Sequence, residues 1–205
     1  KKLIRKIVGD WAWERGRNKG IINESFDEFQ SNSHNLHLEI AKFSRGWTAT
    51  KADIVITPSK HLAKVVENWG VEHEKLKIIY NGTNITNDNL KNENNEPTNL
   101  ITVGRLAPWK NIDSIIEAVY QLKLNDFDLT LFIVGSGPME LDLKKQVNDL
   151  KLTKNVIFTG QKNHSELAEY YMKSDIYIQA SGYEGLPHVL LEAINFNLAL
   201  ISTPI

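Results

Sequence analysis

The stretch "LITVGRLAPWKNIDSIIEAVYQLK", residues 100–123, contains an apolar strand, a short loop with glycine, proline and two cations, and a helix. We predict the strand over 100–104 and the helix from Asn111 to about Lys123. The same order repeats downstream, with strands at 129–135, 155–160, 175–180 and 198–203 and helices at 138–152, 164–173 and 187–196. Apolar strands that alternate with helices of this length form a parallel sheet with helices on both faces. The sequence therefore predicts an α/β fold for this part of the chain.

The first part of the chain is less regular. We predict strands over 3–8, 52–59 and 75–82, a helical stretch over 25–50, and a helix over 59–69 that ends at Gly70. Residues 81–99 contain eight asparagines and one proline, a composition typical of a linker. We therefore expect an incomplete domain over 1–82, a linker over 83–98, and a second incomplete domain over 99–205. Because the chain begins and ends close to bare strands, we expect it to be a fragment cut at both ends.

The composition excludes several classes of protein. The 205 residues are 41% hydrophobic and 24% charged with a net charge of -1, so no overall field attracts nucleic acid. The chain has no cysteine, which excludes disulfides and thiolate metal sites. No apolar run reaches the length of a membrane span, and no secretory signal is visible, so we expect a cytoplasmic protein. We interpret the basic start "KKLIRK" as a buried strand with charged flanks and not as a lipid-binding patch.

Ligands of parallel sheets bind beyond the carboxyl ends of the strands, so the loops that follow strands are the candidate sites. Arg105 and Lys110 lie in the loop after the first strand of the second domain, where a guanidinium and an ammonium would suit a diphosphate. Two solvated surface cations are the alternative. Gly135 and Gly137 follow the next strand and either let a nucleotide approach the backbone or simply form a tight turn.

A third loop lies in "ASGYEGLPHVLLEA", residues 180–193, which carries two acids. Pro187 suits the first position of the following helix, so the amides of Gly185 and Leu186 would face an anion. Carboxylates such as Glu184 and Glu192 can accept hydrogen bonds from pairs of sugar hydroxyls. Glu192 stands among apolar helix residues, where an acid is costly unless it is paired.

Four motifs in this order resemble a known family: "TVGRLAPWKNIDSIIEAV", "FIVGSGPMELDL", "NVIFTGQKNHSELAEYYMKSDIYIQAS" and "EGLPHVLLEA". They are similar to the nucleotide-sugar domain of the retaining glycosyltransferases of family 4. The stretch "ADIVITPSKHLAKVV" resembles the end of that family's acceptor-side domain. The resemblance implies the GT-B fold, which consists of two Rossmann-like domains, each with a parallel sheet.

The resemblance also implies roles for individual residues. Arg105 and Lys110 match the basic pair that holds the donor's diphosphate, and Glu184 and Glu192 match two acids separated by seven residues, which contact the donor sugar and the ribose. The remaining expected substrate-binding residues are Gly104, Gly135, Gly137, Thr159, Gly160, Gln161, Gly185, Leu186 and Pro187, with the backbone of Thr159 to Gln161 at the base.

The implied reaction transfers a sugar from a UDP- or GDP-sugar to a glycan or lipid-linked acceptor with retention of anomeric configuration. The family needs no metal and no further cofactor. Many relatives build cell-envelope polysaccharides, so the resemblance also allows peripheral association with the inner face of a membrane.

The chain departs from the family pattern in two places. Asn197 and Ala199 stand where the family usually has glycine and proline, which questions the close helix-to-strand turn, although asparagine tolerates left-handed geometry. Gly9, in "IVGD", stands where the family often has histidine. The following residues Trp11, Trp13, Glu14 and Arg15 could line a sugar-binding cleft, or the tryptophans could belong to the core.

Other classes account for fewer of these residues. A glycosidase uses two carboxylates but does not need Arg105 and Lys110. A metal-dependent GT-A transferase would carry an Asp-x-Asp motif, and Asp126–Asp128 fits its letters but precedes a strand, which indicates a turn. An NAD-dependent Rossmann enzyme would have a third glycine where the chain has Glu140. That enzyme class, a GT-B epimerase and a non-catalytic nucleotide-sugar-binding remnant stay as alternatives.

Overall fold

A computed structural model of the chain describes residues 1–83 and 98–204. Its residues form two compact units, of which the first contains Lys1–Gly82 together with Tyr183–Pro187. The second contains Thr83–Gly182 and His188–Ile205. Residues 84–97 of the predicted linker lie outside the described residues. The assignment of the segment 183–187 to the first unit follows from its contacts and has no counterpart in the sequence pattern.

The first unit is a small parallel sheet with helices around it. In the described residues its strands are β1 (Ile4–Lys6), β2 (Ile54–Thr57) and β3 (Leu76–Ile78), which pair in the order β1-β2-β3. Its helices are α1 (Trp11–Asn18), α2 (Phe26–Ser31), α3 (Leu36–Thr50) and α4 (Lys60–Asn68), with a short 3-10 helix at His73–Lys75.

Polar side chains at the helix starts explain where these helices begin. Asp10, Asn35 and Ser59 each accept a hydrogen bond from a backbone amide of the first turn of α1, α3 and α4. Ser25 and Glu28 form a capping box at α2, in which each side chain accepts from the other residue's backbone amide. The predicted single helical stretch over 25–50 is therefore two helices, because Asn35 starts a new one.

The strand β1 does not fit its sequence interpretation. We expected "KKLIRK" to be a buried strand, but Ile4 is 58% exposed and Leu3 is 52% exposed. Within the described residues β1 pairs only with β2, so it forms the edge of the sheet. The helix α3 also exposes a row of apolar side chains, at Leu36, Ile40, Phe43 and Trp47, on the face opposite its buried residues.

The second unit contains a larger parallel sheet. In the part of the chain described, its strands are β4 (Thr98–Val103), β5 (Leu129–Val134), β6 (Val156–Gly160), β7 (Ile176–Gln179) and β8 (Ala199–Ser202). They pair in the order β6-β5-β4-β7-β8, and every pair is parallel. The helices are α5 (Ile112–Leu124), α6 (Glu140–Asp149), α7 (His164–Lys173) and α8 (His188–Asn195), with a 3-10 helix at Pro108–Lys110.

The strands β4, β5 and β7 of this sheet have buried residues, as the sequence predicted, whereas all four residues of β8 are exposed. Neighbouring residues of β4 point to opposite sides, so Leu100 packs into one core and Ile101 into the other. The first core also contains Leu131 of β5 with residues of α5 and α6, and the second contains Tyr177 of β7 with residues of α7 and α8. The prediction of an α/β fold with parallel sheets is confirmed.

Four predicted helix starts are wrong by one or two residues. The helix α4 begins at Lys60 and not at Ser59, and α5 begins at Ile112 and not at Asn111. The helix α6 begins at Glu140 and not at Pro138, and α8 begins at His188 and not at Pro187. The motif Asp126–Asp128 lies between α5 and β5, as expected for a turn, and Asp126 has a φ of 61°. Among the described residues, no helix combines the length and the apolar character needed to cross a membrane.

Candidate functional site

The second unit has a cavity of about 480 Å³ at the carboxyl ends of β4, β5 and β6. Its lining includes Gly104 and Arg105 after β4, Gly135 and Gly137 after β5, and Gln161 after β6. These are the loops in which the sequence predicted a binding site, because parallel strands end at one edge of a sheet.

The glycines of this cavity let two loops pack closely. Gly135 has a φ of 136°, and a Cβ added there would overlap the carbonyl oxygen of Gly104. A Cβ at Gly137 would lie 2.6 Å from the backbone nitrogen of Leu106. The amide of Met139 donates to the Leu106 carbonyl over 3.0 Å, which joins the loops. The same two glycines therefore form the tight turn and line the cavity.

Gly104, Arg105 and Lys110 line one small cavity at the end of β4. The side-chain Nζ of Lys110 is 3.9 Å from the position that a Cβ would take at Gly104, and the cavity has a volume of about 10 Å³. The Arg105 guanidinium lies 5.7 Å from the ring centroid of Trp109, which is buried. The structure thus brings the two cations together at the end of β4, with Arg105 exposed and Lys110 half-buried.

Thr159, Gly160 and Gln161 end the strand β6 with an irregularity. Ile133 pairs with Phe158 and Val134 with Gly160, so Thr159 is an extra residue in the ladder. Gly160 has a φ of 71°, and its carbonyl accepts from the amide of Gly135 over 2.9 Å. In the described residues the cavity lining contains Gln161 but neither Thr159 nor Gly160.

Lys162 is a cavity residue that sequence reasoning missed. It follows Gln161 in the lining, and its Nζ lies 3.5 Å from an oxygen of Glu166. Its position in the sequence could have identified it, because Lys162, like Arg105 and Lys110, is a cation in a loop that follows a strand of the sheet.

Glu192 of α8 has a defined partner in α7. The hydroxyl of Tyr171 donates to Glu192 Oε2 over 3.0 Å and also lies 3.2 Å from the carbonyl oxygen of Val189. Tyr171 is fully buried. Burial, together with the Glu192 carboxylate, raises the pKa of Tyr171 far above its usual value, so its phenol stays protonated. The partner that an acid in an apolar helix requires is therefore Tyr171. In the described residues Glu192 does not line the 480 Å³ cavity.

Glu184, Gly185, Leu186 and Pro187 lie in the segment that belongs to the first unit. The neighbouring Tyr183 stacks on Phe26, with ring centroids 3.6 Å apart, and meets the edge of Trp13 at 5.5 Å. These aromatic contacts fix the backbone on which Glu184 is carried. Of the two alternatives for Trp13, a cleft or the core, the structure places it in the core, because it is only 2% exposed.

Contacts made to its own backbone fix the rest of this segment. The side-chain amide of Asn81 donates to the carbonyl oxygen of Leu186 over 2.7 Å. A Cβ added at Gly185 would lie 2.6 Å from the carbonyl oxygen of Val8, so only glycine fits there without a shift. The expectation that Pro187 is the first residue of the helix is wrong, since it precedes α8.

The two departures from the family pattern have clear structural outcomes. Asn197 has a φ of 55°, the left-handed geometry for which the family uses glycine, and the amide of Leu198 donates to the carbonyl of Ala193 over 3.1 Å. The close helix-to-strand turn is therefore formed. Next to Gly9, the buried Asp10 caps α1 and forms an ion pair with Arg45. Burial lowers the pKa of Arg45 to about 10, so its guanidinium stays charged at neutral pH.

Comparison with known families gives a clear match. Residues 84–205 match the family model described as glycosyl transferases group 1. A 4-alpha-N-acetylgalactosaminyltransferase of Campylobacter jejuni, which acts on a diphospho-undecaprenol, is 29% identical over 174 residues, covering 83% of this chain and 46% of that protein. The alpha-monoglucosyldiacylglycerol synthase of Streptococcus pneumoniae is 31% identical over 157 residues, covering 69% of this chain and 35% of that protein.

Solved structures share the fold at low sequence identity. TarM of Staphylococcus aureus, in a complex with UDP, has a TM-score of 0.74 at 18% identity and covers 100% of this chain and 37% of that one. The pneumococcal O-GlcNAc transferase GtfA, with UDP and GlcNAc, has a TM-score of 0.69 at 23% identity and covers 100% and 38%. The chain spans less than half the length of each of these proteins and of the two relatives above. Its structural neighbours are GT-B glycosyltransferases, and the chain belongs to the family of group 1 glycosyl transferases.

Proposed function

We propose that the chain carries the donor-binding part of a glycosyltransferase that transfers a sugar from a UDP- or GDP-sugar to a glycan or lipid-linked acceptor. The observation that carries this proposal is the 480 Å³ cavity lined by Arg105, Gly135 and Gly137 at the carboxyl edge of a parallel sheet. Family membership supports it, since the matched residues include the whole described part of that sheet.

The size and lining of the cavity suit a nucleoside diphosphate. Its volume lies within the range of about 300–1,000 Å³ that is typical of sites for small ligands. Gly135 and Gly137 line the cavity where their loop packs against Gly104 and Leu106. Gln161 and Lys162 offer side-chain and backbone donors in the loop after β6. TarM and GtfA, whose folds resemble this chain, were both solved with UDP.

The proposed chemistry follows from where charge develops. When the bond between sugar and diphosphate breaks, negative charge grows on the leaving diphosphate, and Arg105 and Lys110 stabilise it. Glu192 accepts hydrogen bonds from the ribose, and Glu184 accepts them from the donor sugar. The diphosphate helps to deprotonate the acceptor, and the reaction retains the anomeric configuration. In this proposal the two cations take the place that a metal ion has in other transferases, and no further cofactor takes part.

The relatives suggest the class of acceptor. The protein from Campylobacter jejuni is named for a diphospho-undecaprenol acceptor, and the protein from Streptococcus pneumoniae is named for a glucosyldiacylglycerol product. We extend this to the present chain as a glycan or lipid-linked acceptor, reached in the cytoplasm at the inner face of a membrane.

A calorimetric titration of UDP, GDP and NAD into the chain tests the donor site. We expect saturable binding of one nucleoside diphosphate, and Arg105→Ala should weaken it about 10- to 100-fold because a charge-assisted hydrogen bond is lost. Lys123→Ala is the matched control, since this exposed cation lies in the last turn of α5, at the end away from the cavity. Binding of NAD in place of both diphosphates would overturn the proposal.

A further inference from the structure

The hydrogen bond between Tyr171 and Glu192 joins two helices that cover the same face of the second sheet. Tyr171 lies near the end of α7, and Glu192 lies on the second turn of α8, which follows the strand β7. The tyrosine ring is fixed, because it is fully buried and stacks on Phe196 with centroids 5.2 Å apart. A rigid donor therefore holds one oxygen of a carboxylate that would otherwise have several rotamers.

The contact has a defined direction. A protonated phenol has one hydrogen to donate, and its nearer acceptor is Glu192 Oε2 at 3.0 Å, compared with 3.2 Å for the Val189 carbonyl. A hydrogen bond to a charged acceptor is also the stronger of the two. This hydrogen bond takes one of the two acceptor positions of Oε2 and fixes the direction in which Oε1 faces.

We propose that Tyr171 is a positioning residue for nucleotide binding, which orients Glu192 so that its carboxylate accepts from the ribose hydroxyls of the donor. The inference rests on the proposed function, in which Glu192 contacts the ribose. Tyr171 itself touches no ligand in this account and acts only through Glu192.

A purely structural role for Tyr171 predicts a different result. If the hydroxyl only ties α7 to α8 through the Val189 carbonyl, its loss lowers stability and weakens all nucleotides equally. If the hydroxyl orients Glu192, its loss weakens the binding of ribonucleotides more than the binding of 2′-deoxyribonucleotides, because only ribonucleotides have the 2′-hydroxyl. The ratio of the two affinities therefore separates the two roles.

The experiment measures the affinity of the chain for UDP, GDP and their 2′-deoxy forms in the wild type and in Tyr171→Phe. We expect the wild type to prefer the ribonucleotide about 10- to 100-fold, since a hydrogen bond to a charged group is at stake. In Tyr171→Phe this preference should fall at least about threefold, mainly through weaker binding of the ribonucleotide.

Tyr177→Phe is the matched control. Tyr177 is also fully buried in the same core, but its hydroxyl donates to Gln179 Oε1 over 3.1 Å. The control removes a buried phenol hydroxyl next to the same helices and should keep the wild-type preference for ribose.

The outcomes separate the two levels of the proposal. Wild-type binding with an unchanged ribose preference in Tyr171→Phe overturns the positioning role and leaves the donor site intact. If the wild type binds neither UDP nor GDP, the donor site fails and the role of Tyr171 fails with it.

A second measurement does not depend on the folding of Tyr171→Phe. In the chain labelled with ¹³Cζ-tyrosine, Glu192→Gln should shift the Tyr171 resonance, because the phenol then donates to a neutral amide in place of a carboxylate. An unchanged resonance would show that the contact is not made in solution and would overturn the inference.

Discussion

Glu184 and Glu192 are close in the chain, but the molecule supports them in different ways. Glu192 accepts a hydrogen bond from Tyr171, a buried side chain of a neighbouring helix in the second unit. Glu184 lies on a segment of the first unit whose backbone is fixed by the stacking of Tyr183 on Phe26. A side-chain hydrogen bond orients Glu192, and packed aromatic rings place the backbone that carries Glu184.

This difference indicates how each acid can fail. A change of a single hydroxyl should misdirect Glu192, whereas a change that moves the whole segment should displace Glu184. The second kind of change should cost more stability, because it removes packed rings and not one hydrogen bond.

Loss of the Tyr183 ring should have the largest effect. Tyr183→Ala removes the stack on Phe26 and the edge contact with Trp13, and we expect it to lower the free energy of unfolding by about 3–5 kcal/mol. Urea unfolding followed by tryptophan fluorescence measures this, since four of the five tryptophans lie in the first unit.

Tyr183→Phe provides the control for that change. The Tyr183 hydroxyl is buried without a hydrogen-bond partner among the described residues, and burial raises its pKa, so it stays neutral. Its removal should change the free energy of unfolding by less than about 1 kcal/mol. If Tyr183→Phe costs as much as Tyr183→Ala, the hydroxyl and not the ring fixes the segment.

A methyl group at Gly185 should have the next largest effect. Gly185→Ala would place a Cβ 2.6 Å from the Val8 carbonyl oxygen and 3.4 Å from Pro58 Cγ, and we expect a loss of about 1–3 kcal/mol. Gly182→Ala is the matched control, because its nearest neighbours would lie at 3.8 Å. Equal urea midpoints for the two variants would contradict the close packing of the segment.

The turn after α8 should respond more weakly. Asn197→Ala forces alanine into a left-handed conformation with a φ of 55° and should cost about 1 kcal/mol, whereas Asn197→Gly should be neutral or slightly stabilising. Thermal unfolding followed by circular dichroism ranks the three chains. A more stable Asn197→Ala would show that the turn is not left-handed.

The smallest effects should appear at acid pH, in the helix α2, which carries Phe26, and in the helix α7, which carries Tyr171. Capping boxes lower the pKa of Glu28, at the start of α2, and of Glu166, at the start of α7, below the usual 4.5 because each carboxylate accepts from backbone amides. A lowered pKa in the folded state gives stability that is complete above pH 4.5 and is lost as the pH falls through the folded-state pKa.

Unfolding midpoints between pH 7 and pH 3 test this acid dependence. Glu28→Gln and Glu166→Gln should each flatten the fall in stability below pH 4.5, because each variant lacks the carboxylate's stabilisation at neutral pH and differs little from the wild type at pH 3. Glu117→Gln, at an exposed position in the middle of α5, is the matched control, because it removes a carboxylate that is not part of a capping box.

Local patterns were sufficient to predict most of the fold. Apolar runs such as the one that contains Leu100 and Ile101 mark strands buried on both faces, and their order predicts the parallel sheet. The errors concern places where neighbours decide, as with Ile4, which lies on an edge strand. Another error concerns Pro187, which was predicted as the first residue of a helix, whereas α8 begins one residue later.

The candidate site was predictable where it depends on strand ends. Arg105 and Lys110 lie beside Gly104 because they directly follow the same strand. Tyr171 was not predictable, because its contact with Glu192 crosses from one helix to another. The grouping of Tyr183 with the first unit depends on Phe26, which is distant in the chain. Such contacts arise from tertiary packing and leave no periodic signal in the sequence.

The most direct test of the account compares the two acids with two kinds of ligand. Affinities of Glu192→Gln and Glu184→Gln are measured for UDP and GDP, and for UDP-glucose, UDP-N-acetylglucosamine and GDP-mannose. We expect Glu192→Gln to weaken the binding of the nucleoside diphosphate and of the nucleotide sugar by about tenfold each, since both ligands contain the ribose. Glu184→Gln should weaken only the nucleotide sugar. Unchanged diphosphate binding in Glu192→Gln, or equal losses in both variants for both ligands, would contradict the assignment of one acid to the ribose and the other to the sugar.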